Sequence, residues 1–503
     1  MDNLAERIAA LRPEQRALLE KQLLKKGLNS VKAQTIPRRR ESPLCVPSFD
    51  QEQLWFVDQM EPGSFAYNIS SSFHIVGRLD VGVLERSFNE IIRRHEALRT
   101  TFKSVDGVPY QSVAPSATIA LRRVNLGDRP ASEREAEMRR VIVAEERAPF
   151  DLERGPLFRA VLVKLNETEH RLSMTLHHIV TDRWSFSLLW RELTVLYEAF
   201  AGGRLSPLPE LPIQFADFAV WQREKLQGEA LESRLAYWRE QLAGSSFRFE
   251  LPCDRPRPAR QTFSGKRHYS IQTKELWDAL KTLAQRENVT MATTLLAAFY
   301  TFLYRYTGQE DIIVGSPFAN RNWVETEGLI GYLLNVLPLR ADLSGNPTFR
   351  ELLGRVKEMT TGAFAHGDLP FGKLVRELRP ARDLSRSPIF QVTFVLVDFQ
   401  DSVVKHPELE MRRVETDIAS ARFDLMLGVR DKPEDPLLIF EYCPDLFEHS
   451  TVVRMMRQFE TLLEGIVADP ERRLAALPLR RTRAYTARPS NGSSARGEVA
   501  PRG

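Results

Sequence analysis

Cysteine is scarce in this chain, with only Cys45, Cys253 and Cys443 among 503 residues. An odd, scattered set gives neither a disulfide framework nor paired thiolate ligands, and it fits a reducing, cytoplasmic setting. Charge of one sign is scarce too. Lys and Arg number 70 against 66 Asp and Glu, a formal net charge of +4. That excess is too small to suggest a nucleic-acid partner. Much of it lies in Arg38, Arg39 and Arg40 and in the arginines from Arg480 onward, which read as solvated linker and tail. The longest apolar run, around Met291 to Leu303, is broken by Thr and Tyr and is too short to span a bilayer. The amino end carries Asp2 and Glu6 and no apolar signal-peptide core.

The rest of the composition is that of an ordinary globular protein, 43% hydrophobic and 27% charged. One hydrophobic core does not grow to this length, so at least two lobes are expected. Leu4, Ile8, Leu11, Leu18, Leu19, Leu23 and Leu24 recur at roughly helical spacing, and Pro13 opens a second helix. This hairpin either packs on the main body or docks a partner chain. With its linker it forms a segment over 1–44.

From residue 45 short strands alternate with amphipathic helices, the order of an α/β lobe. SSFHIVG (71–77) leads into a helix bearing Leu84, Phe88, Ile91 and Ile92, and RLSMTLHHIV (171–180) into one bearing Leu188, Leu189, Leu193 and Leu196. Two proline-rich stretches, 202–212 and 251–260, bracket FADFAVWQRE and mark a bridge over 213–261. Strand, turn and helix then recur within 262–480, in HYSIQ with Leu276, Leu280 and Leu283 and in LLIFEYCPDLFEHS with Val452, Met455 and Phe459. The matching order of 45–212 and 262–480 reads as a weak internal duplication. The histidine pair is kept only in the first half, which predicts one active site per chain. Residues 481–503, rich in Ser, Gly, Arg and Pro, read as a disordered tail.

LHHIVTDRWS (176–185) carries the chemistry. Strict alternation puts Leu172, Met174, Leu176 and His178 on one face and Ser173, Thr175 and His177 on the other. Adjacent strand histidines then point apart, which disfavours a shared metal, and neither HExxH nor CxxC occurs. A shielded histidine with a reference pKa of about 6.5 exchanges a proton near neutrality, so His178 suits a base or an anchor for an incoming nucleophile. On the residues alone, a structural role for His178 stays open. His95 and His366 read as satisfied core histidines.

Seven motifs in order decide the reading: SFDQEQLWFVDQMEPGSFAYNI (48–69), RHEALRTTF (94–102), LHHIVTDRWS, FADFAVWQ (215–222), IGYLLNVLPLR (330–340), HGDLPF (366–371) and RDLSRSPIFQVTFVL (382–396). Over residues 45 to 480 the chain resembles the condensation domains of non-ribosomal peptide synthetases, within the chloramphenicol acetyltransferase-like superfamily. The opening motif resembles the subclass that accepts L-configured donors, with fatty-acyl starter domains close to it.

The resemblance implies two acetyltransferase-like α/β lobes in a V-shaped pseudodimer with a central tunnel. A donor thioester and an acceptor amine, each on the phosphopantetheine arm of a partner carrier protein, would meet there at His178 and form an amide. The domain itself would bind no cofactor or metal. It would act as a monomer beside adenylation domains or neighbouring modules. His177 is expected to be structural, and Asp182 to pair with Arg321. Asn335 is expected either to polarise the oxyanion or to cap a strand, and Trp184 and Ser185 to stand beside the tunnel. No adenylation or carrier segment occurs in the chain, which suggests a free-standing protein or an excised domain; LAALPLRR resembles the linker before an adenylation domain. One departure stands out. The family has glycine after the aspartate, and this chain has Arg183. It is expected to gate the acceptor side, the alternatives being a grip on an acidic acceptor or a lost activity that leaves a platform for tailoring enzymes. An acyltransferase using a free amine or alcohol is the third reading.

Overall fold

Two large sheets, each backed by helices, carry the described residues, beside a small sheet of Leu44–Cys45, Val108–Val113 and Thr100–Val105. The computed structural model describes residues 35–40, 42–381, 383–396, 404–406, 409–414, 419–432 and 434–479. The expected hairpin at 2–26 and tail at 481–503 lie outside them. The first sheet has six strands in the order Val404–His406, Leu409–Val414, Asn68–Gly77, Glu169–His177, Phe158–Lys164, Arg122–Asn125. Alternation sorts its faces. Leu172, Met174 and Leu176 join Phe73 and Ile75 against the helices Val81–Arg94 and Arg183–Ala201, through Leu84, Phe88, Leu189 and Leu193. Burying each such side chain is worth about 1.5–3 kcal/mol. On the other face Ser70 meets Thr175 at 3.1 Å and Ser72 meets Ser173 at 3.2 Å, so the buried hydroxyls satisfy one another.

The second sheet has seven strands, ordered Asn335–Asp342, Asp311–Phe318, Val392–Leu396, Leu425–Arg430, Leu437–Tyr442, Ser264–Ile271, Ala419–Ser420. Its core is built from the helices Lys274–Arg286, Met291–Thr307, Phe349–Ala365 and His449–Ala468. The duplication shows in the topology. In the first lobe the strand Asn68–Gly77, followed by a helix, pairs antiparallel with Glu169–His177, followed by another. In the second lobe Ser264–Ile271 and Leu437–Tyr442 pair in the same way, each again followed by a helix.

Two features depart from the sequence reading. Leu409–Val414 belongs to the second half of the chain but pairs with Asn68–Gly77 of the first sheet, Leu409 opposite Gly77. Arg39 is not solvated: its guanidinium lies 2.7 Å from Asp217 and 2.7 Å from Glu96. Its partners come from the bridge and the second motif, so nothing near it in sequence announces them. Residues 213–261 hold the helices Phe215–Lys225 and Gly228–Gln241. Phe215 and Phe218 pack with Leu329 and Leu333 where the lobes meet.

Candidate active site

The HHxxxD turn begins where Glu169–His177 stops. His178 opens a short 3-10 turn, His178–Val180, so the alternation expected through His178 ends one residue earlier. Its backbone N–H donates to the Tyr67 carbonyl at 2.8 Å. Gln51, in the helix Phe49–Met60, donates to the Ile179 carbonyl at 3.0 Å and ties the opening motif to the same turn. The two rings part. His177 Nδ1 accepts from the Ile179 N–H at 3.2 Å, and its ring lies 6.4 Å from Tyr67 and 6.0 Å from Phe150. His178 Nδ1 lies 2.8 Å from the Thr181 carbonyl. A carbonyl only accepts, so Nδ1 carries the hydrogen and Nε2 the lone pair.

Burial pushes His178 down to about 3; the charges of Arg422 and Arg183 add to this, while the hydrogen bond to Thr181 works the other way. Burial, with His178 and Arg422 beside it, also takes His177 down to about 3. Both imidazoles are neutral at pH 7.

Asp182 caps the helix Arg183–Ala201. Its Oδ1 accepts from Ser185 N–H at 2.8 Å and from Ser185 Oγ at 2.7 Å. Its Oδ2 accepts from the N–H groups of Leu333 and Leu334, each at 3.2 Å, and Arg321 Nη2 lies 3.2 Å from both oxygens. Ser185 Oγ also lies 3.0 Å from the Gly331 carbonyl and accepts from the Gly331 N–H at 3.1 Å. His95 Nδ1 accepts from Ile330 N–H at 3.4 Å, and its Nε2 faces Glu192 at 2.8 Å. The second, third and fifth motifs therefore converge on one buried knot between the lobes.

That knot holds the segment 330–334 of the second lobe and sets Tyr332 against His178, ring centroids 4.5 Å apart. Sequence reasoning misses Tyr332; its only signal is an aromatic in the otherwise aliphatic run of IGYLLN. Arg422 is missed as well. Its guanidinium lies 5.1 Å over the Tyr67 ring.

Asn335, Ser185 and Trp184 each have partners within the fold. Asn335 donates both amide hydrogens, to the Gly367 and Leu369 carbonyls at 2.8 and 2.7 Å, and its oxygen accepts from Phe371 N–H at 3.0 Å. It clasps the HGDLPF loop and has no hydrogen left for an oxyanion. The Ser185 hydroxyl is engaged within the knot. Trp184 is 47% exposed and donates to the Glu327 carbonyl at 3.0 Å. His366, half-buried, stacks on Tyr237 with centroids 3.9 Å apart. Among the described residues no group of His, Cys, Asp and Glu could hold a metal ion, and no helix is long and apolar enough to cross a membrane.

Two α/β lobes meet at an HHxxxD turn, with its second imidazole at their seam. The chain belongs to the Condensation domain family, whose model matches residues 45–485. It is 44% identical over 474 residues to one of the linear gramicidin synthase proteins of Brevibacillus parabrevis, covering 94% of this chain and 6% of that protein. It is 40% identical over 481 residues to phosphinothricin tripeptide synthetase PhsC of Streptomyces viridochromogenes, covering 95% of this chain and 44% of that one. The chain thus spans less than half the length of either relative. Among solved structures, the X-domain in complex with OxyB from teicoplanin biosynthesis superposes with a TM-score of 0.80 at 27% identity, covering 90% of this chain and 99% of that one. The first condensation domain of the calcium-dependent antibiotic synthetase superposes at 0.72 and 22% identity, covering 88% and 100%.

Proposed function

We propose that this domain forms an amide between a carrier-bound acyl or peptidyl thioester and an acceptor amine, with His178 as the reacting base. The phosphopantetheine arms belong to donor and acceptor carrier proteins, loaded by adenylation domains elsewhere in a synthetase. The amine nitrogen attacks the thioester carbonyl, and His178 Nε2 takes the proton that nitrogen loses. The C–N bond forms, the C–S bond breaks, and the departing sulfur receives that proton. The observation that carries the reading is the 2.8 Å contact of His178 Nδ1 with the Thr181 carbonyl, which leaves the lone pair on Nε2. A ring whose pKa is held near 3 does not rest as imidazolium at pH 7. Its proton therefore passes on as the bond forms, and positioning two tethered substrates supplies much of the acceleration.

Asn335 acts as a clasp, Asp182 and Arg321 hold the lobes, and Arg183 gates the acceptor side. The opening motif supports an L-configured donor end. The test compares one acyl group delivered on a carrier and as a coenzyme A thioester, with amide product followed by mass spectrometry. Transfer from the carrier alone supports the reading; equal transfer from both would favour an acyltransferase with a free donor.

A second reading has two observations in its favour. The likeness to the X-domain, a structure solved with OxyB bound, fits a platform that recruits a tailoring enzyme, and Arg183 in the glycine position fits it too. The intact His178 tautomer favours catalysis.

A further inference from the structure

Tyr332 lies in the segment 330–334, and its neighbours there are held by the catalytic turn and by His95 of the second motif. Ile330 N–H donates to His95, Ser185 Oγ bonds both the N–H and the carbonyl of Gly331, and the N–H groups of Leu333 and Leu334 donate to Asp182. Tyr332 is the residue of the run whose side chain meets His178, at 4.5 Å between centroids with the planes inclined by 54°. Asp182 and Ser185 lie four and seven residues after His178, so the clamp and the imidazole share one short piece of chain. A ring pinned this way limits how far the imidazole can swing.

The hydroxyl of Tyr332 has no hydrogen-bond partner among the described residues. Burial, with Asp50 close by, raises its phenol well above the ordinary range, so it stays protonated. Asn335 and Ser185 have already committed their donors, so the part of Tyr332 that the site fixes is the ring.

We infer that Tyr332 is a positioning residue: its ring, delivered from the second lobe, holds the His178 imidazole with Nε2 toward the reacting centre and couples the seating of the lobes to the reaction. The inference rests on the reading of His178 as the base. A ring that does this affects turnover more than binding, because it touches the imidazole and leaves the carrier arms alone. Near-attack geometry is sensitive to displacements of about 1 Å, which cost on the order of a hundredfold.

The test uses the full chain with Tyr332→Leu, which removes the ring, and Tyr332→Phe, which keeps it. Steady-state transfer between loaded carriers is measured together with the ring resonances of His178 in labelled protein without substrate. Tyr332→Leu is expected to lower kcat by roughly ten- to a hundredfold, to leave the acceptor KM within about threefold, and to shift or broaden the His178 signals. Tyr332→Phe is expected to restore both readouts. Should Tyr332→Leu not fold, Tyr332→Met, equally ringless, takes its place. Unchanged kcat and unchanged His178 signals in the ringless variant would overturn the inference. So would an equal loss in Tyr332→Phe, which would assign the effect to the hydroxyl. If the wild-type protein transfers nothing, the acyl-transfer reading is what has failed, and the resonances still decide whether Tyr332 positions the ring.

Discussion

Arg321 Nη2 lies 3.2 Å from each carboxylate oxygen of Asp182, with the two side chains 2% and 1% exposed. One charge comes from the first lobe and the other from the second, at a seam that water does not reach. Attraction between such charges is weakly screened, and loss of one partner leaves the other buried alone.

Asp182→Asn should therefore destabilise the protein by about 3–5 kcal/mol. Pairing it with Arg321→Met should recover part of that loss, because no unpaired charge remains. Chemical denaturation of the two single variants and the double variant measures the coupling. Additive losses would mean that the pair does not act as a unit.

Gly331→Ala tests the packing that supports Tyr332. A Cβ at Gly331 would lie 2.0 Å from Cδ2 of the Phe215 ring, so the bridge helix or the segment 330–334 must move. Overpacking of this kind costs about 1–3 kcal/mol. Loss of stability together with slower transfer is expected, and Phe215→Leu should relieve both in Gly331→Ala. Thermal melts and initial rates of the three proteins check it.

Asp50 predicts a pH dependence. Burial pushes its carboxyl up from 3.8 to about 7, against the opposing charge of Arg223. The folded protein holds this proton where the unfolded chain has released it. The Asp50 contribution to stability is thus full below pH 3.8 and is lost as pH rises toward 7. Asp50→Asn should be more stable than wild type at pH 8, by a margin on the order of 4 kcal/mol, and near parity at pH 4. Urea midpoints at the two pH values measure the difference; equal margins at both would exclude Asp50 as the cause.

Much of this is readable from the chain because its signals are local. Apolar spacing marks the helices around Phe88 and Leu193, and a chain with HHxxxD and six companion motifs has few folds open to it. The Asp182–Arg321 contact is expected from the resemblance and is present. What escapes depends on distant partners. The strand Leu409–Val414 pairs across the lobes, and a short strand does not state in its own sequence which sheet it joins. Asn335 reads as either an oxyanion donor or a strand cap, because the carbonyls of Gly367 and Leu369 that engage it lie some thirty residues on. Tyr332 is marked only as an aromatic among aliphatics, since the ring it meets lies 154 positions earlier.

Arg183 opens the helix after the HHxxxD turn, and its charge helps hold His178 down. Arg183→Gly should widen the range of acceptor amines, raising kcat/KM for bulky acceptors by roughly tenfold, the scale of about 1.4 kcal/mol. A panel of amines of graded size against one loaded donor reads it out. An unchanged range and rate would remove the gating role.

The most direct measurement is single-turnover transfer from an acyl-loaded carrier to an amine, wild type beside His178→Ala, with folding verified by melting. His178→Ala is expected to slow amide formation by roughly a hundred- to ten-thousandfold while the carrier still binds. Equal rates in the two proteins would contradict a catalytic imidazole at residue 178.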